Sequence, residues 1–108
     1  MSEPTQVVMF EVGGREFALP LPSVQRVVAA VAFTPLPDNT PGICVEGDVI
    51  PVVDLRSRFH LPARDIDLND QIILVQTARR RLAVLADAVK GVGECGSHQT
   101  LLDPEADS

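Results

Sequence analysis

Short apolar or alternating runs, each closed by glycine, proline or charge, repeat along most of the chain. Gln6 to Val12 alternates well enough to predict a strand, and Gly13-Gly14 supplies a tight hairpin turn. The return strand is expected over Arg15 to Leu21, with Phe17, Leu19 and Leu21 on one face. Pro20 and Pro22 then interrupt it. Val24, Val27, Val28 and Val31 fall at helical spacing behind a possible cap, Ser23, but β-branched residues favour strands. One short helical turn followed by a strand to about Phe33 reconciles the two signals.

"TPLPDNTPG" is a loop by its turn residues. Ile43 to Glu46 and Val49 to Val53 predict a second hairpin about Gly47-Asp48. Val49, Ile50, Val52 and Val53 look buried on both faces, yet Pro51 stands among them and cannot donate to a ladder. "DLRSRFHL" predicts one helical turn, and "PARDIDLND" an acidic loop. A third apolar strand runs from Gln71 to Thr77, "RRR" turns it, and Leu82 to Val89 returns. From Gly93 onward no periodicity persists, and a loose acidic tail over 94–108 is expected. Closely spaced strands without a long helical pattern predict an all-β barrel or sandwich.

Composition narrows the function classes. The chain of 108 residues is expected to form one domain with an aliphatic core, since it has four Phe and neither Trp nor Tyr. A net charge of −6 argues against nucleic acid as a partner, because phosphate neutralisation needs a basic patch. Arg79-Arg80-Arg81 reads as a solvated turn. No apolar run reaches the ~20 residues of a membrane span, so no membrane insertion is expected. "MSEPTQ" lacks a basic leader, and two distant cysteines, Cys44 and Cys95, fit a reduced cytoplasmic setting.

The chemistry-bearing residues do not assemble a catalytic motif. Ser23, Ser57, Cys44, Cys95, His60 and His98 include no nucleophile elbow. Cys95 and His98 have the spacing of half a zinc site, which Cys44 and His60 would have to complete; Cys44 reads better as a small buried hydrophobe. Asp65, Asp67 and Asp70 lack the glycine and the glutamate of a calcium loop. The expectation is a binding protein with no catalytic residue, metal or cofactor. A small metal-dependent enzyme using Cys95 and His98, and a free-standing β-domain without a signalling role, are the alternatives.

Three stretches carry a resemblance: "VVMFEVGGREFALPLPSVQRVV", "GDVIPVVDLR" and "RRLAVLADAVKGV". Together they resemble the CheW-like coupling proteins of bacterial chemosensory systems over about residues 6 to 93. Val24-Gln25, Gly47, Pro51, Asp54, Leu55, Arg56, Asp87 and Val89 match the family pattern in order. The resemblance implies two small SH3-type β-barrels with short helical turns only, and a non-catalytic adaptor between receptor tips and a histidine kinase. It implies that Pro51 ends its ladder where the chain bends toward "DLR". It also implies a division into a largely complete first barrel, mainly 6–68, and a remnant of the second, 69–93.

Where the family carries Glu after Val-Gln and Arg before Gly, this chain has Arg26 and Glu46, both signs reversed. If the family pair is an ion pair, these two should lie within salt-bridge distance. The loop between "PLP" and "CVEG" is shorter than the family's, and little chain follows the Asp87 strand. The second barrel should then be truncated, with an open edge within 71–77 or 82–89, covered by a returning tail with Leu101-Leu102 as plug or by a homodimer. The resemblance implies a short divergent member that binds the cytoplasmic tip of a methyl-accepting-type chemoreceptor. Docking of the kinase regulatory domain would be weakened or lost, and another coupling protein is a further possible partner. Val24, Arg26, Glu46, Gly47 and Ala83 are the receptor-interface residues this implies. Full receptor–kinase coupling as a dimer is the alternative within the family.

Overall fold

The computed structural model describes residues 6–29, 34–35, 41–45, 47–62, 69–94, 96–97 and 99–102. Glycine and alternation set the first hairpin. Strands β1 (Gln6–Val12) and β2 (Arg15–Pro20) pair antiparallel about Gly13 and Gly14, whose φ angles of 60° and 80° suit a right-twisted two-residue turn. A single 3-10 turn over Leu21–Ser23 leads into β3 (Val24–Ala29), so Val24, Val27 and Val28 adopt the extended form their branching favours, while the expected continuation over 30–33 lies outside the described residues. β4 (Thr34–Pro35), β5 (Pro41–Val45) and β6 (Asp48–Val53) follow, then a four-residue helix α1 (Leu55–Arg58). Strands β7 (Gln71–Gln76) and β8 (Arg81–Ala86) form a hairpin; β9 (Ala88–Glu94) and a short β10 (Thr100–Leu101) complete the described chain.

These strands make two sheets. One has the order β10-β2-β1-β9, the other β3-β7-β8-β6-β5-β4. The sheets interleave along the sequence, so the expected division near residue 68 does not coincide with the strand pairing. β7 and β8 join β3 and β6, while β9 returns across the molecule to β1.

The six-stranded sheet must roll. Laid flat, its edge strands β3 and β4 would lie roughly 24 Å apart, at about 4.8 Å per strand. The chain from Ala29 to Thr34 reaches at most about 18 Å. Closure traps a core of Ile43, Ile50, Val52, Ile72, Leu74 and Ala83. The opposite face of the β7–β8 hairpin, with Ile73, Val75, Leu82, Val84 and Ala86, packs against Phe10, Val12, Phe17 and Leu19 of the four-stranded sheet. Each fully buried large aliphatic in these layers is worth about 1.5–3 kcal/mol relative to exposure.

Strand β6 answers the Pro51 problem. Asp48 to Pro51 pair antiparallel with β5, whereas Val52 and Val53 pair in parallel with β8. Pro51 is the residue at which the strand changes partner, so the expected end of one ladder is present, although the strand itself continues for two residues. A missing N–H is tolerated where one ladder stops and another begins. The strand is not buried on both faces throughout: Ile50 and Val52 point into the rolled core, while Val49 is 46% exposed.

Four further expectations are corrected. The edge expected within 71–77 or 82–89 is not formed by β7 or β8, which each have neighbours on both sides; only Ala88–Val89, at the start of β9, fall on an edge, since β9 pairs with β1 alone among the described strands. The tail is not loose at Thr100–Leu102: β10 runs parallel to β2, the Leu102 N–H donates to the Ala18 carbonyl at 2.8 Å, and Leu102 enters the core between the sheets. Cys44 is exposed, since it alternates with the inward Ile43. Asp70, at the end of the expected acidic loop, is buried at 3% exposure.

Candidate interaction surface

Four of the residues that carry the family resemblance, Asp54, Leu55, Arg56 and Asp87, converge on one brace. Asp54 caps α1, its Oδ1 accepting the N–H groups of Arg56 at 3.0 Å and Ser57 at 3.3 Å. That turn aims Leu55 into the core between the sheets and sends Arg56 across to Asp87. Arg56 Nη2 meets Asp87 Oδ2 at 2.6 Å, and Arg56 Nη1 donates to the Pro62 carbonyl at 2.8 Å. The same Asp87 oxygen accepts the Gly13 N–H at 2.9 Å, while the Asp87 N–H donates to the Glu11 carbonyl at 2.8 Å. One carboxylate thus ties the β1–β2 turn, α1 and the β8–β9 junction. It is a brace for the two sheets rather than a reactive centre.

Gly13 belongs to this joint. A Cβ there would stand 3.3 Å from Leu61 Cδ1 and 3.4 Å from Arg56 Nη1, on a backbone already at positive φ. Nearby, the Arg15 guanidinium lies over the rings of Phe17 and Phe59, at 5.6 and 5.0 Å from their centroids, and donates to Thr100 Oγ1. That contact helps hold β10 against β2.

A second constellation runs across one end of the six-stranded sheet. Arg81 of β8 donates through Nε to Gln25 Oε1 of β3 at 3.1 Å, and its Nη1 lies 3.6 Å from Asp48 Oδ2 of β6. Gln25 in turn faces Gln76 of β7 at 3.5 Å. The strip borders two adjoining open depressions. Gln25, Arg26, Gln76 and Arg81 line one; Asp48, Val49, Ile50, Pro51 and Arg80, with the shared Gln76 and Arg81, line the other. Three arginines and an exposed valine make this a basic, partly apolar surface on a protein of net charge −6.

The residues expected at a receptor interface fare differently. Arg26 borders the depression. Val24 starts the edge strand β3 opposite Val75, half-buried against the core between the sheets. Gly47 is exposed in the β5–β6 turn with φ 86°. Ala83 is fully buried in the rolled core, so its side chain is not presented to a partner. Glu46 lies outside the described residues, and so does the expected Arg26–Glu46 contact. Gln25 entered the sequence reading only as part of the Val-Gln match and Arg81 only as part of a solvated turn, and Gln76 was not singled out; isolated polar residues near strand ends give no pattern that joins them.

Catalytic and metal readings gain no geometry. Among the described residues no group of three or more His, Cys, Asp or Glu side chains is placed to hold a metal ion. Cys95, His98, Asp65 and Asp67 lie outside the described residues. No helix among the described residues is long and apolar enough to cross a membrane.

Comparison with known proteins gives a consistent result. Residues 6–106 match the family model of the CheW-like domain. The chain is 28% identical over 92 residues to a chemotaxis protein CheW of Rhizobium meliloti, covering 81% of this chain and 59% of that protein. It is 32% identical over 74 residues to the chemotaxis protein CheW of Bacillus subtilis, covering 65% and 47%. The crystal structure of the scaffolding protein TtCheW from Thermoanaerobacter tengcongensis superposes with a TM-score of 0.74 at 27% identity, covering 90% of this chain and 66% of that one. The chain spans roughly half to two thirds of the length of these relatives.

Proposed function

The chain belongs to the CheW-like domain family, and from this premise we propose that it is a non-catalytic adaptor of a bacterial chemosensory array. It binds the cytoplasmic tip of a chemoreceptor and docks the kinase regulatory domain weakly. The observation that carries the adaptor reading is the family match over nearly the whole described chain, on a fold shared with a protein called a scaffold. The receptor surface is the β3 edge with Val24 and Arg26 and the basic depression beside it. A shallow, open surface suits a helical tip better than a small substrate, which needs a concave site that buries it.

Weak kinase docking rests on the contrast between the two sheets. The six-stranded sheet is rolled, whereas the four-stranded sheet has β9 and β10 at its edges. A partner that docks on the outer strands of that sheet meets, among the described strands, β9 on one side and the two-residue β10 on the other. The same open edge favours the alternative, in which two copies together couple receptor and kinase.

Pairwise titration of the full chain against a receptor cytoplasmic-tip fragment and against the kinase's C-terminal regulatory domain tests the reading. Receptor binding with kinase affinity lower by about tenfold or more, a difference of about 1.4 kcal/mol, is the expected result. Tight kinase binding without receptor binding overturns it.

A further inference from the structure

Among the described strands β9 is an edge, and its residues complement their own reversed order. Its outer part, Lys90 to Glu94, alternates: Lys90, Val92 and Glu94 are exposed, Gly91 and Gly93 half-buried. Val92 is 54% exposed, and Leu101 on the opposite edge of the same sheet is 56% exposed. Exposed apolar residues on an unpaired edge mark a strand that can accept another strand.

We propose that the partner is a second copy of this chain, paired antiparallel β9 to β9 about a twofold axis at Val92. Positions that meet then have numbers summing to 184. Val92 faces Val92 of the partner subunit, each Lys90 faces Glu94 of the partner subunit, and each Gly91 faces Gly93 of the partner subunit. Opposite charges thus meet twice, apolar meets apolar at the axis, and the glycines put no side chain in the way. A one-residue slip would bring Lys90 against Gly93 of the partner subunit and lose both charge pairs.

The even sum has a second consequence. Backbone groups along an edge point outward at every other residue. In this register residues of the same parity meet, so outward N–H and carbonyl groups face each other whichever set is free. The contact is isologous and closes at two copies, joining two four-stranded sheets into one of eight strands.

Two features set its strength. Lys90 lies 3.8 Å from Glu11 of its own chain, a half-exposed contact it can share with the new partner. The pairing of β9 with β1 shifts register between Met9 and Phe10, skipping Lys90, and Gly91 sits at φ 136°, so the Lys90 end of the contact is irregular and regular pairing is confined to Val92–Glu94. A short interface of this kind makes a concentration-dependent dimer rather than a permanent one.

Sedimentation equilibrium of the full chain over a wide concentration range gives the first reading, with monomer–dimer exchange expected. Lys90→Glu places glutamates opposite one another at both ends and should weaken the dimer at least about tenfold; Glu94→Lys should do the same with lysines. The double variant Lys90→Glu/Glu94→Lys restores opposite charges and should restore dimerisation, which a merely local loss of the Lys90–Glu11 contact would not. As a separate readout, Val92→Cys in a Cys44→Ser/Cys95→Ser background should oxidise to a disulfide-linked dimer, and Leu101→Cys in that background should not. A chain that stays monomeric throughout, a dimer indifferent to both single reversals, a double variant that fails to recover, or crosslinking through position 101 instead of 92 overturns the proposal.

Discussion

Hairpin β7–β8 and strand β9 follow one another in the chain yet occupy opposite environments. Ile72 and Leu74 point into the rolled core and Ile73 and Val75 into the core between the sheets, so the hairpin serves two hydrophobic layers at once. β9 has one neighbour among the described strands and exposes every second residue over its outer half. The change comes at Asp87, where the chain leaves one sheet for the other and the carboxylate pins the crossing. A continuous apolar run encodes burial on both faces, whereas alternation with glycine and charge encodes an edge.

The largest effect expected from breaking this contrast is in the hairpin. Ile73→Ala leaves a cavity between the sheets and should cost about 2–5 kcal/mol, a large share of the roughly 5–15 kcal/mol typical of a domain this size. Val92→Ala, at a concentration where the chain is monomeric, should change stability by less than about 0.5 kcal/mol. Urea unfolding of both variants measures the difference; comparable losses would mean that β9 is covered as thoroughly as β7.

Next comes the brace. Arg56→Ala leaves Asp87 charged without its guanidinium and frees α1 from the Pro62 carbonyl. With side-chain exposures of 14% and 22%, the pair is largely but not fully desolvated. The loss should be about 2–3 kcal/mol, below the 3–5 found when a fully buried pair is broken. Amide exchange should accelerate selectively at Gly13 and Asp87, the two N–H groups held at that joint. Uniform acceleration across the molecule would place the role of Arg56 in global stability instead.

Much of this architecture was legible in the sequence where one physical signal dominated. Gly13-Gly14 and the flanking alternation located β1 and the turn; the valines' branching correctly outweighed their helical spacing in β3. Asp54, Leu55, Arg56, Asp87 and Val89 were all identified as matches to a family, yet their meeting was not, because a contact spanning 31 residues leaves no local pattern. The single strand expected over Leu82–Val89 is two, since Asp87 in an otherwise apolar stretch marks a crossing that periodicity alone cannot distinguish from a bulge. The turn expected from three arginines is organised by Thr77, whose Oγ1 accepts from the N–H groups of Arg79 and Arg80 and donates to the Arg80 carbonyl. Which polar residues form the strip across four strands depends on the register of all four, and no short segment contains that information.

The helix cap is a smaller lever on the same joint. Asp54→Ala removes two accepted hydrogen bonds at the start of α1 and should cost about 1 kcal/mol. If the cap acts by aiming Leu55 and Arg56, the double variant Asp54→Ala/Arg56→Ala should lose less than the sum of the single losses. Strict additivity would make the cap a local feature of the turn, independent of the crossing at Asp87.

A small stability change, with the largest expected effect on binding, belongs to Arg81. Its contact with Asp48 joins groups 25% and 72% exposed, so solvent screens most of the attraction, and Arg81→Ala should cost no more than about 1 kcal/mol. The same change removes a charged residue shared by the strip and both depressions, and takes from Gln25 one of its two partners. Affinity for a receptor-tip fragment should fall by about tenfold or more, the scale of one well-placed interface residue, while the unfolding midpoint barely moves. Arg79→Ala, on the same turn but outside both depressions, serves as the matched control: it should change neither quantity. Equal losses of receptor affinity in the two variants would reduce the surface to a diffuse positive charge and remove the case for a shaped docking site at the end of the rolled sheet.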